Sequence, residues 1–251
     1  MECSTAATSS REWFWYADWS QRAGGDHRPN GEVFYIGRTV KRAVYGRGLA
    51  EEARHTLGGR VWGRAVPWDY SVQASYQVGS FGPADIRAWG AASDTGYTLA
   101  RVPGRPRLGV RADIASGDKA DAGVLSTFSA PYPALNYFSE AAIFAPGNGY
   151  DLHPYVQARP IKKLAVSLGV DFQWRLERSD AVYRAGGGFL VPSGISTARF
   201  VTAITQIDGT WQPVPQVALR AAWVRASAGP VIRAAGGRRT SFLLLSLDLR
   251  L

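Results

Sequence analysis

Apolar and polar residues alternate without a break through LAVSLGVDFQWRLE, residues 164 to 177. Leu164, Val166, Leu168, Val170, Phe172, Trp174 and Leu176 form one face; small or polar residues form the other. A period of two places successive side chains on opposite sides of an extended strand. The stretch predicts a strand of 14 residues, whereas strands of globular proteins run about 5–6 residues.

The pattern recurs along the chain. In HTLGGRVWGRA (55–65), Leu57, Gly59, Val61 and Gly63 oppose Thr56, Gly58, Arg60, Trp62 and Arg64. WDYSVQASYQVG (68–79) sets Trp68, Tyr70, Val72, Ala74, Tyr76 and Val78 against Asp69, Ser71, Gln73, Ser75 and Gln77. Related stretches begin near residues 13, 32, 87, 106, 150, 199, 216 and 240. The count is about eleven strands of about nine residues or more, the length a tilted membrane-spanning strand requires. No helix of ordinary length is expected.

Connections alternate between short and long. AVPW (65–68), ARVPGRP (100–106), RPIKK (159–163) and QPVPQ (212–216) are proline-marked turns. Long connections are expected at YGRGLAEEAR (45–54), over 116–149, at RSDAVYRAGGGFLVPSGISTA (178–198) and at SAGPVIRAAGGRRT (227–240). GSFGPAD (79–85) is a short exception at the loop end. Counting LNYFSEAAIFAP (135–146) as a strand would move the earlier short turns to the loop side, so it is expected to be a short helix or ordered segment inside the 116–149 connection, folded toward the interior.

In a soluble protein, Trp13, Trp15, Trp19, Trp68, Trp174, Trp211 and Trp223 would need a second sheet to cover them. Aromatic residues near strand ends suit the interfacial girdles of a membrane barrel instead. The fold expected is all-β: an antiparallel transmembrane β-barrel over residues 11–251, after a disordered N-terminus at 1–10. Mean hydropathy is −0.14, and no apolar run approaches the roughly 20 residues of a membrane helix. Cys3 is the only cysteine, so no internal disulfide forms; no metal site or cofactor is expected. The opening residues lack a basic, apolar and cleavable leader, so an exported protein is expected to have a longer precursor. The net charge of +9 comes from arginines spread along the strands rather than gathered in one patch, which favours a lined channel and argues against nucleic acid.

From RHTLGGRVWGRAVPWDYSVQASYQVGSFGPADIRAW through RPRLGVRADIASGD, and again at YDLHPYVQARP and FQWR, the sequence resembles the alginate-export family of outer-membrane porins. The resemblance spans about residues 11–251. It implies a barrel of about 18 strands in the outer membrane, passing an anionic polysaccharide through an electropositive lumen. It also implies outer-membrane lipids and the barrel-assembly machinery as partners. The chain would then supply the C-terminal part of the barrel.

With the apolar phase facing lipid, Arg60, Arg64, Arg111, Arg159, Arg175 and Arg220 face the lumen. They are the candidate substrate-binding residues, for a polysaccharide or small anions, because a guanidinium binds carboxylates through two parallel hydrogen bonds and stays charged. The alternative is that they pair with inward acids such as Asp69, Asp94, Asp113, Asp171 and Asp208. Arg111 and Arg175 have acids on their own strand face; Arg60, Arg64 and Arg220 do not, and are the stronger candidates. His27, His55 and His153 lie in unrelated segments without a nucleophile arrangement, so no catalytic residues are assigned and the chain is read as a channel rather than an enzyme. A barrel fragment without transport of its own is the competing reading, and a barrel enzyme a third.

Overall fold

The computed structural model describes residues 13–21, 29–119, 123–130, 137–185 and 187–250. Residues 1–10, expected to be disordered, lie outside the described residues, as does His27. The chain forms β1 (Trp13–Gln21), β2 (Asn30–Tyr45), β3 (Gly48–Ala65), β4 (Trp68–Phe81), β5 (Ala84–Thr98), β6 (Arg107–Ala115), β7 (Val124–Leu125) and β8 (Gly149–Ile161). It continues with β9 (Leu164–Trp174), β10 (Val182–Tyr183), β11 (Phe189–Val191), β12 (Phe200–Val214), β13 (Val217–Ala226), a five-residue helix α1 (Pro230–Ala234) and β14 (Thr240–Leu249). The protein is all-β.

Eleven of these strands follow one another in a single antiparallel path, β1-β2-β3-β4-β5-β6-β8-β9-β12-β13-β14, with β7 beside β5 in parallel. No pairing joins β1 to β14 among the described residues. The segment 137–148 contributes no strand to this path; it holds a turn at Glu140 and Ala141 and one isolated bridge, Phe144 to Arg184.

The two faces of the sheet are chemically opposite. Leu243, Leu245, Leu247 and Leu249 on β14 are 56–73% exposed, and Leu57, Val72, Tyr76, Leu168 and Ile207 share their face. An exposed, mainly apolar surface of this kind is what hydrocarbon solvates, and each leucine it receives contributes about 1.5–3 kcal/mol. Trp68 packs edge-on against Tyr97 on this face, ring centroids 4.9 Å apart, near the short-turn end. Trp89 and Trp223 occupy it toward the other end. Short turns at residues 66–67, 99–106, 162–163 and 215–216 lie at one end of the strands; the other end carries the long connections together with two-residue turns at 46–47 and 82–83.

Two expectations are corrected at the opposite end. The 45–54 stretch is not a long connection: β2 and β3 remain paired to Tyr45 and Gly48, around a two-residue turn at Gly46 and Arg47. The alternation is unreadable there because Glu52 and Arg54 are buried ions on one face while Glu51 is exposed on the other. His55 is consequently mid-strand, on the apolar face, bonded to the Tyr35 hydroxyl at 2.6 Å. The strand at 164–177 stops at Trp174. Beyond it the Arg175 amide bonds to the Arg199 carbonyl and the Leu176 amide to the Asn148 carbonyl, so the chain leaves the sheet while its sequence still alternates.

At this loop end the described residues of the connections 116–148 and 175–199 fold over the polar face. Leu125 and Tyr183 pack against Tyr45, Phe81 and Ile86. Arg54, 2% exposed, donates to the Gln77 amide oxygen at 2.7 Å and to the Thr127 carbonyl at 3.1 Å. Glu52 takes ion pairs from Arg38 at 2.6 Å and Arg54 at 3.3 Å, and Arg47 clamps Asp118 at 2.6 Å. The loop end is a packed cap.

Candidate functional site

Below the cap, the polar face opens into two cavities of about 910 and 1010 Å³. Register decides which side chains meet there. In the β3–β4 ladder Arg60 stands opposite Gln73 and Arg64 opposite Asp69; in the β5–β6 ladder Asp94 stands opposite Arg111.

The centre of the arrangement is Arg107, which the sequence reading did not single out. It donates to Asp69 through Nε at 3.0 Å and through Nη2 at 2.5 Å. It also donates to Asp94 at 2.8 Å and to the Tyr155 hydroxyl, and the Tyr155 hydroxyl donates to Asp94 at 2.7 Å. Four strands are thereby joined by one guanidinium. Its guanidinium carbon also lies 5.3 Å from the Tyr155 ring centroid. Glycines make the space: a Cβ on Gly96 would come within 2.2 Å of the Arg107 guanidinium, and one on Gly109 within 2.4 Å of the Tyr155 ring. A sequence signal existed, since Arg107 shares the inward phase of Arg111 on the same strand.

The six arginines expected to face the lumen separate into three groups. Arg60, Arg111 and Arg220 line the central cavity. Arg60 donates to the Ser71 hydroxyl at 2.9 Å and lies 5.0 Å from the Trp62 ring centroid. Arg111 contacts Asp94 at 3.7 Å and the Tyr137 carbonyl at 3.3 Å. Arg220 pairs with Glu140 at 2.5 Å. Its partner comes from the inward-folded segment, so the lack of an acid on its own strand face did not leave it open. Arg64 and Arg159 line the second cavity, at the short-turn end.

Arg175 lines neither large cavity. It is 1% exposed, donating to the carbonyls of Ala198 at 2.7 Å and of Ser196. Its burial and the nearby Arg178 and Arg199 charges depress its pKa. Its place is that of a strut in the cap, with its donors spent on backbone.

Tyr137, Phe138, Ser139 and Glu140 line the central cavity on the polar face of the sheet. Asp113 stands opposite Asp151 in the β6–β8 ladder and Asp171 shares their face on β9, each with a buried oxygen that has no hydrogen-bond partner among the described residues. No group of His, Cys, Asp and Glu among the described residues is arranged to hold a metal ion. The site can therefore offer forked donors to carboxylates and counter-charges that limit how tightly they are held.

Across residues 3–245 the chain matches the family model described as alginate export. No curated protein matches it.

Proposed function

The chain belongs to the alginate-export family, and from that premise we propose that it forms a passive channel for an anionic polysaccharide, lined by Arg60, Arg64, Arg111, Arg159 and Arg220. The family is one of outer-membrane transport proteins rather than enzymes. The observation that carries the reading is the division of the sheet: an exposed apolar face on one side, and on the other two cavities lined by arginines. Lipid takes the first face and solute the second.

The eleven-strand path is part of a barrel of about 18 strands. Its first and last strands run in the same direction, so antiparallel closure takes an odd number of strands between them. Arg175 is assigned to holding the cap rather than to substrate. Outer-membrane lipids surround the leucine row of β14, and the barrel-assembly machinery inserts the sheet.

Conductance of protein purified from outer membranes, reconstituted in planar bilayers, tests the proposal. The expected result is anion preference, with block by short oligouronates exceeding that by neutral oligosaccharides and weakening as salt screens it. A channel indifferent to oligouronate charge overturns it.

A further inference from the structure

The two cavities differ in their balance of charge. Around the central cavity four arginines meet five carboxylates among the described residues, Asp208 included. Arg107, Arg111 and Arg220 are already ion-paired there. The cavity at the short-turn end gathers Arg64, Arg105, Arg107, Arg159 and Lys162 against Asp208, its one carboxylate among the described residues. Arg64, Arg105 and Arg159 are exposed and make no side-chain hydrogen bond or ion pair among the described residues. The acid opposite Arg64 in the ladder, Asp69, is held by Arg107.

The turn carrying Arg105 is built into this position. Gly104 and Arg105 adopt φ of 77° and 44°, the second a left-handed conformation that disfavours a residue with a Cβ. The Arg105 amide closes the turn on the Val102 carbonyl at 2.9 Å, and the Gly104 carbonyl accepts the Arg159 amide at 2.9 Å. The turn is thus pinned to the end of β8, with its arginine on the cavity that Arg159 lines. Like charges collected without counter-charges raise the local concentration of anions.

We propose that the short-turn mouth is a capture site for the carboxylates of an anionic polysaccharide, with Arg64, Arg105 and Arg159 as its recognition residues. This rests on the channel reading and adds a place and a direction to it. Each guanidinium receives a uronate carboxylate in its fork, and Lys162 adds a point charge at the rim. The polymer then enters a central cavity whose charges are balanced, where binding stays weak enough for it to move on. Short turns lie on the periplasmic side of outer-membrane barrels, so capture occurs where export begins.

Single-channel recording tests this, with protein from outer membranes inserted from one side and short oligouronate then added to either side. The expected on-rate of block is at least about tenfold higher from the short-turn side, falling with salt. Changing Arg64, Arg105 and Arg159 together to Gln lowers the on-rate from the short-turn side more than that from the loop side, and so removes the excess. The corresponding Lys variant keeps the fast on-rate but shortens each block, having lost the fork. Equal wild-type on-rates from the two sides, or an excess that survives the Gln substitutions, overturns the mouth site and leaves the channel reading standing. No block from either side overturns both. If the triple variant does not assemble, Arg105→Gln alone, at an exposed turn, must reduce the excess severalfold; an unchanged excess overturns the site.

Discussion

Arg220 of β13 and Glu140 of the 116–148 connection meet at 2.5 Å although eighty residues separate them. The Glu140 amide also donates to the Gln206 side chain at 3.0 Å, so the segment is fixed to two neighbouring strands. The pair sits in the central cavity, where its two charges offset each other. Glu140→Gln leaves the arginine uncompensated and is expected to raise anion preference. Arg220→Gln does the reverse, leaving a carboxylate that favours cations. Reversal potentials in a salt gradient read both; shifts of the same sign in the two variants would contradict the pairing.

Arg107 joins β4, β5 and β8 to β6 through Asp69, Asp94 and Tyr155. Removing one member of a fully buried ion pair costs about 3–5 kcal/mol. Here the side chains are 19–30% exposed, so Arg107→Ala is expected to cost about 2–3 kcal/mol after that discount. The check is the temperature at which the folded form loses its fast gel mobility. A Lys at this position should recover only part of the loss, because it keeps the charge but cannot bridge two carboxylates in a fork.

Leu168 lies at mid-strand on the apolar face and is 50% exposed. Leu168→Arg places a charge in hydrocarbon and is expected to cost about 2–4 kcal/mol at the midplane. Ser167→Arg, one residue away on the opposite face, should be nearly neutral for assembly. Denaturant titration of the reconstituted barrel distinguishes them; equal costs would reverse the assignment of faces.

In the cap, the Asp180 carboxylate accepts hydrogen bonds from Thr127 and Tyr183 and from the Asp118 and Ala181 amides. Burial nevertheless raises its pKa above the ordinary value. A carboxyl raised on folding contributes its stabilisation fully below the unfolded pKa and loses it as pH climbs through the folded one. The melting difference between wild type and Asp180→Asn should therefore favour the wild type most at acid pH and shrink as pH rises. A difference that grows with pH would mean that the four donors outweigh desolvation.

Arg175→Ala is expected to loosen the cap without changing selectivity. The variant leaves the carbonyls of Ser196 and Ala198 without the donor they now receive, at about 1–3 kcal/mol. Faster proteolysis of the 175–199 connection, with anion preference unaltered, is the expected result. A change in oligouronate block would return Arg175 to the substrate path.

The sequence alone determined the all-β class, the faces of the long strands and the end at which most of the short turns gather. Those properties are local: alternation is written residue by residue wherever one face meets lipid and the other water. It lost strand limits where that contrast lapses, at the buried ions Glu52 and Arg54 and at the capped Arg175. Tertiary structure alone decided which charges compensate each other. Arg60, Arg64, Arg111 and Arg220 look alike in phase, yet Arg220 meets Glu140, Arg111 meets Asp94, and Arg64 faces an aspartate already held by Arg107. Pairing depends on ladder register and on a segment folded in from a distant connection. Neither has a signature within one strand, because a charge is compensated by whatever lies within a few ångströms in space, however far away that is along the chain.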